Sequence, residues 1–115
     1  MFEKLSVIVP FYNEVDSLQE LYARICESAD GCVAAGKIAA WELWLVDDGS
    51  TDGSTEAARR IALSDARAGL VVFRQNRGKA AALQAGFSRA AGDVVLTMDA
   101  DLQDDPAEFP RFLDE

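Results

Sequence analysis

Residues 41–52 read WELWLVDDGSTD. The first six form a short apolar block of bulky side chains, the mark of a buried strand. Residues 47–53 hold three aspartates, two glycines and two hydroxyl residues. That is the chemistry of a tight turn leading into a helix capped by Thr51 or Asp52. Residues 57–66 continue as helix. A strand, a loaded turn and a helix together make the unit from which parallel sheets are built.

The unit repeats on either side. Upstream, residues 5–10 (LSVIVP) form a β-branched strand. Leu18, Leu21, Tyr22 and Ile25 then recur at helical spacing after a cap at Asp16 or Ser17, and residues 31–36 end or loosen that helix. Downstream, residues 70–73 form a third strand, and residues 76–78 turn into an alanine-rich helix that runs through residue 90. After a turn at Gly92-Asp93, residues 94–98 (VVLTM) form a fourth strand running into Asp99. Pro106 suits the first turn of a last helix over residues 107–113. The order β-α-β-α-β-α-β-α predicts an α/β fold, a mostly parallel, doubly wound sheet with helices on both faces. Such sheets bind ligands at the carboxyl ends of their strands. Residues 10–14, 47–52 and 99–105 all fall there, and that coincidence is the first sign of a site.

The 115 residues, 50% of them hydrophobic, suit one compact domain. With 20 acidic against 11 basic residues the net charge is −9, which disfavours nucleic acid as a partner because that affinity rests on Lys and Arg. It also repels a free diphosphate unless a cation or backbone N–H groups intervene. The acids crowd toward residues 99–115, where seven stand against one base, Arg111. Cys26 and Cys32, placed on one helix, lie about 9 Å apart along its axis, too far for a disulfide. Two separate thiols suggest a reducing compartment. With no histidine and no paired cysteines, zinc is not expected. No apolar run approaches a membrane span and no basic-then-apolar leader opens the chain. The expected location is the cytoplasm.

Asp99-Ala100-Asp101 carries the most chemistry. Two carboxylates two residues apart at a strand end can face one side, where alone they would repel. A hard divalent cation, Mg²⁺ or Mn²⁺, removes that cost and can bridge them to phosphate oxygens. Gln103 is a further oxygen donor. The plain alternative is a solvated acidic turn before a proline-started helix. An EF-hand loop is excluded, since Asp104 and Pro110 occupy the positions that need Gly and Glu. Asp48, at the end of the second strand, can accept hydrogen bonds from a base or ribose, or simply shape the turn. Tyr12 offers a flat face and Glu14 an acceptor after Pro10; an ordinary βα loop would explain them too. At Asn76-Arg77-Gly78-Lys79 the amides opening a helix could hold an anion, helped by Arg77 and Lys79; a basic surface helix start is the alternative. Neither a Walker A nor a GxGxxG spacing occurs.

Together the segments VIVPFYNE, LVDDGSTDGS, NRGKAAALQAGFSRAAGD and MDADLQDDP resemble the family 2 glycosyltransferases of GT-A fold. They are most similar to the polyprenyl-phosphate sugar transferases, which include the dolichol-phosphate mannose synthases. The resemblance implies that Pro10, Tyr12, Glu14, Val46 and Asp48 line a nucleoside pocket and that Ala100 and Asp101 lie beside the diphosphate. It further implies that Asp99 and Asp101, the catalytic pair, hold the metal with Gln103. The implied reaction moves a sugar from a UDP- or GDP-sugar to a polyprenyl phosphate, with inversion. The full-length parent would work at the cytoplasmic face of the membrane.

Catalytic domains of that family run well past this length. Residues 1–115 are therefore expected to be a single N-terminal nucleotide-sugar-binding domain, with the acceptor half absent. The competing expectation is a non-catalytic fragment of the same fold that binds nucleotide or forms homo-oligomers through an exposed sheet edge. A phosphoacceptor receiver domain is a poor fit, because no later strand ends on the lysine it would need.

Overall fold

The structure is a computed structural model that describes residues 2–102 and 105–114. It contains β1 (Phe2–Phe11), α1 (Val15–Ala34), β2 (Ile38–Asp47), α2 (Ser54–Ser64), β3 (Ala68–Val72), α3 (Lys79–Arg89), β4 (Val94–Thr97), a 3-10 turn (Pro106–Glu108) and α4 (Phe109–Leu113). The four strands form one sheet in the order β3-β2-β1-β4. Every neighbouring pair is parallel. The expected α/β fold is therefore the observed one.

Strand alternation sorts side chains to two faces. Leu5, Val7, Val9 and Phe11 of β1 and Trp41, Leu43 and Leu45 of β2 point into the larger core. There they meet Leu18, Leu21, Ile25, Ala29 and Cys32 of α1, Ala58 and Ile61 of α2, and Phe109 and Leu113 of α4. Ile8 and Val46 point the other way, onto Ala82 of α3, with Trp44 and Leu83 packed alongside. Helices thus cover both faces. α3 approaches closely because a Cβ at Gly86 would overlap Ile8 Cγ2.

The element ends differ from the sequence reading, each for a physical reason. β1 starts at Phe2, because Phe2 and Lys4 pair with Ile38 and Ala40 of an equally extended β2. α1 passes through Gly31, which no neighbour crowds, and the chain turns at Gly36 with φ +76°. α1 and α2 have Glu14 and Gly53 at their N-caps, and neither makes a side-chain cap bond. Asp16 and Ser17 sit inside α1, while Asp52 reaches forward to accept from the Ser54 amide at 2.9 Å. Residues 65–66 fall beyond α2. β4 ends at Thr97, although the Met98 amide still donates to the Ile8 carbonyl at 3.0 Å. The last helix is split into a 3-10 turn and one short α-helix, with Asp105 capping the turn through the Ala107 amide. Both cysteines lie on α1 as free thiols.

Candidate functional site

The carboxyl ends of β1, β2 and β4 meet at a cleft of about 260 Å³. Its walls are Pro10, Phe11, Tyr12, Glu14, Asp48, Lys79, Ala82, Asp99, Ala100 and Asp101. Seven of these were expected site residues from three separate segments, and Lys79, expected from a fourth, makes an eighth. Val46 is not among them. It is fully buried under α3 against Ile8 and Ala82: it shares a face with Asp48 but lies two residues back from the strand end, where α3 covers it. Gln103 lies outside the described residues.

The loops around the cleft are tied to one another. Asn13, at φ 54°, accepts from the Thr51 amide at 2.7 Å and donates its own amide to Ser50 Oγ at 2.9 Å. The Glu14 amide donates to Ser54 Oγ at 2.9 Å. These bonds fix the β1 loop on the β2 loop. Asp47 is spent inside its own turn, accepting from the Ser50 amide at 2.8 Å and from the Thr55 hydroxyl. Gly49, at φ +81°, lies so near residues 75–76 that a Cβ would come within 2.7 Å of the Asn76 nitrogen.

Asp48 completes the link between β2 and α3. Its carboxylate accepts from the Arg77 amide at 2.7 Å and from the Gly78 amide at 3.1 Å. These are two of the amides that sequence reading offered to a ligand anion; the protein already supplies their carboxylate. From that segment only Lys79 reaches the cleft lining. Arg77 instead stacks on Phe73, 5.3 Å from the ring centre.

Asp99 and Asp101 owe their shared orientation to the residue between them. Ala100 is 4% exposed and packs into the main core, which sends its neighbours outward. The Ala100 carbonyl accepts from Ser17 Oγ at 2.6 Å, and the same hydroxyl lies 3.2 Å from Glu14 Oε2. Leu102 follows in the left-handed region at φ 66°, where branched side chains are uncommon. Ser17 is therefore the clamp between the β4 loop and α1. A serine near a helix start reads as a cap in the sequence, and nothing there signals this longer reach.

Charge in the cleft is lopsided. Four carboxylates, Glu14, Asp48, Asp99 and Asp101, face one cation, Lys79, whose ammonium lies 2.6 Å from Asp99 Oδ1. Among the described residues no three His, Cys, Asp or Glu side chains converge on one point. The donor set nevertheless suits a hard cation. Asp99 and Asp101 offer oxygen alone, and the Lys79 ammonium already stands where positive charge is favoured. A divalent ion there would draw its remaining ligands from phosphate and water oxygens.

A parallel α/β sheet with a cleft at its strand ends defines a Rossmann-like protein. The chain belongs to the Glycosyl transferase family 2, whose pattern matches residues 6–115. It is 42% identical over 112 residues to the undecaprenyl-phosphate 4-deoxy-4-formamido-L-arabinose transferase of Salmonella paratyphi B, an alignment that covers 96% of this chain and 33% of the relative. Among solved structures it resembles the mannosyltransferase PcManGT from Pyrobaculum calidifontis in complex with GDP-Man and Mn²⁺. The TM-score is 0.70 at 35% identity, over 84% of this chain and 27% of that one. It also resembles S. aureus TarS 1-349 in complex with UDP-GlcNAc, with a TM-score of 0.69 at 26% identity over 85% of this chain and 26% of that one. The chain thus spans about a third of the length of the curated relatives it matches. Among the described residues no helix is long and apolar enough to cross a membrane.

Proposed function

We propose that this chain is the donor-binding portion of a sugar transferase that takes a UDP- or GDP-sugar and a divalent metal, Mg²⁺ or Mn²⁺. The acceptor in the whole protein is a polyprenyl phosphate, and the anomeric centre inverts. One observation carries the reading: three strand ends and the start of α3 bring an exposed aromatic ring, four carboxylates and one lysine around a single cleft. GDP-Man with Mn²⁺ in one structural neighbour and UDP-GlcNAc in another support it. The undecaprenyl-phosphate transferase relative supports the acceptor class. The fold is common to the whole family, so the site and not the fold bears the argument.

Within this reading each side chain has a task. Tyr12, 45% exposed at the rim, stacks on the base. Glu14 accepts hydrogen bonds from the nucleoside, while Asp48 keeps the opposite wall in place. Asp99 and Asp101 turn oxygen ligands toward the diphosphate, and Ala100 packs beneath it. When bound, a divalent cation neutralises the charge that develops on the leaving diphosphate. The acceptor phosphate oxygen bonds to the anomeric carbon from the face opposite the diphosphate. The bond from that carbon to the diphosphate oxygen breaks, and its electron pair leaves with the nucleoside diphosphate. A phosphate acceptor is already anionic, so no carboxylate of the cleft has to remove a proton first.

Titration calorimetry with UDP and GDP, each with and without Mg²⁺ or Mn²⁺, tests the donor-binding claim. The expected result is binding of one nucleotide that requires the metal. Equal affinity without metal, or no binding of either nucleotide, contradicts it.

A further inference from the structure

The Lys79–Asp99 pair occupies an unusual place. Lys79, Asp99 and Pro10 line the main cleft and also a smaller cavity of about 90 Å³ beside Leu83, Thr97 and Met98. The pair therefore forms the ridge between two spaces. Its lysine is the first residue of α3, with a side chain 62% exposed. Backbone and side chain have opposite freedoms at this point. The preceding amides are pinned by Asp48 at 2.7 and 3.1 Å, so the Lys79 Cα is held. The stem beyond it has rotatable bonds and open space on either side, and the ammonium can change partner without moving the helix.

The charges explain why it would. Among the described residues of this corner, the carboxylates of Asp99 and Asp101 outnumber the one ammonium of Lys79. A divalent ion held by Asp99 and Asp101 would reverse that balance, and the Lys79 ammonium beside it would be repelled. An anionic ligand arriving with the ion offers the ammonium a new partner.

We propose that Lys79 is a resident counter-cation: it neutralises Asp99 while the divalent ion is absent and passes to the anionic ligand when the ion binds. This rests on the donor-binding reading above and deepens it. Two consequences are specific. A metal ion alone must displace Lys79, so it binds weakly. Metal and nucleoside diphosphate bind cooperatively, because the nucleotide takes over the displaced ammonium.

The test compares the wild-type chain with Lys79→Gln, measuring Mn²⁺ by electron paramagnetic resonance and Mn²⁺ with UDP or GDP by calorimetry. The two affinities are expected to move in opposite directions. Mn²⁺ alone binds Lys79→Gln about threefold more tightly, the scale of an exposed ion pair. The nucleotide in saturating Mn²⁺ binds it about tenfold more weakly, the scale of one charge-assisted hydrogen bond. Lys79→Arg keeps the cation and stays near wild type for Mn²⁺ alone. In an Asp99→Asn background, Lys79→Gln gives no further gain in Mn²⁺ affinity. Changes of the same sign, or no change in either affinity, overturn the counter-cation role while leaving donor binding intact. Absence of metal-dependent nucleotide binding in the wild type overturns both. Thermal unfolding of each variant separates these results from a loss of fold.

Discussion

Asp48 is 6% exposed and accepts two backbone amides from a segment 29 and 30 residues further along the chain. Replacing it with alanine leaves those amides without their acceptor, a cost of about 1–3 kcal/mol. Asp48→Ala should therefore lower the urea midpoint as well as nucleotide affinity, and Asp48→Asn should lie between it and wild type. A variant that loses affinity at unchanged stability would make Asp48 a ligand contact alone. The sequence marks Asp48 as a loaded strand-end residue. It does not show the partner, because that contact exists only once β3 lies beside β2. For the same reason Lys79 is readable as a nearby cation, while its pairing with Asp99 is not. Val46 misleads for a simpler reason: it shares a face with Asp48 but lies two residues short of the strand end, under α3 and away from the cleft.

At the opposite end of the sheet, Arg67 makes a two-bond contact with Asp65 at 3.0 and 3.1 Å and stacks over Trp41, 4.1 Å from the ring centre. The Arg67 guanidinium holds the Asp65 carboxyl down at about 2, with help from the Tyr22 hydroxyl and against the upward push of burial. In the unfolded chain the carboxyl titrates near 3.8, so the unfolded state binds the proton first as pH falls. The stabilisation is complete above about pH 4 and is lost between about pH 4 and pH 2. Urea midpoints of wild type and Asp65→Asn should converge across that window. A constant difference through it would contradict this assignment.

Two glycines inside helices separate the roles of backbone and packing. Gly31 of α1 has open space where a side chain would go, whereas a Cβ on Gly86 of α3 would overlap Ile8 Cγ2. Gly31→Ala is expected to stabilise by about 0.5–1 kcal/mol through a less flexible unfolded chain. Gly86→Ala is expected to destabilise by about 1–2 kcal/mol, because overpacking outweighs that gain. Chemical denaturation reads both, and shifts of the same sign would contradict the packing of α3 on β1. The sequence shows neither difference, since both glycines interrupt apolar helical patterns. The elements themselves were legible because β-branched blocks alternate with 3.6-residue periodicity. Their ends were not, because Phe2 and Lys4 become strand only by pairing with Ile38 and Ala40.

Across the whole molecule, β3 and β4 are the two outer strands among the described residues. Val72 of β3 is 45% exposed, and Val95 of β4 is 37% exposed with Phe87 of α3 at 51%. Unpaired edges with apolar side chains favour strand-to-strand association. Light scattering should show mass rising with concentration, and Val95→Lys should suppress the rise. A constant monomer mass would remove self-association as a property of this chain.

On the proposed function, metal and nucleotide meet in the acidic strand-end cleft. Amide NMR spectra with Mn²⁺ and the nucleotide it supports test this most directly, because the paramagnetic ion broadens signals near it. Lys79 and residues 99–102 should broaden first, only weakly without nucleotide, and Asp101→Asn should abolish the effect. Broadening centred on the acidic residues of 105–114, or unchanged by Asp101→Asn, would contradict this placement.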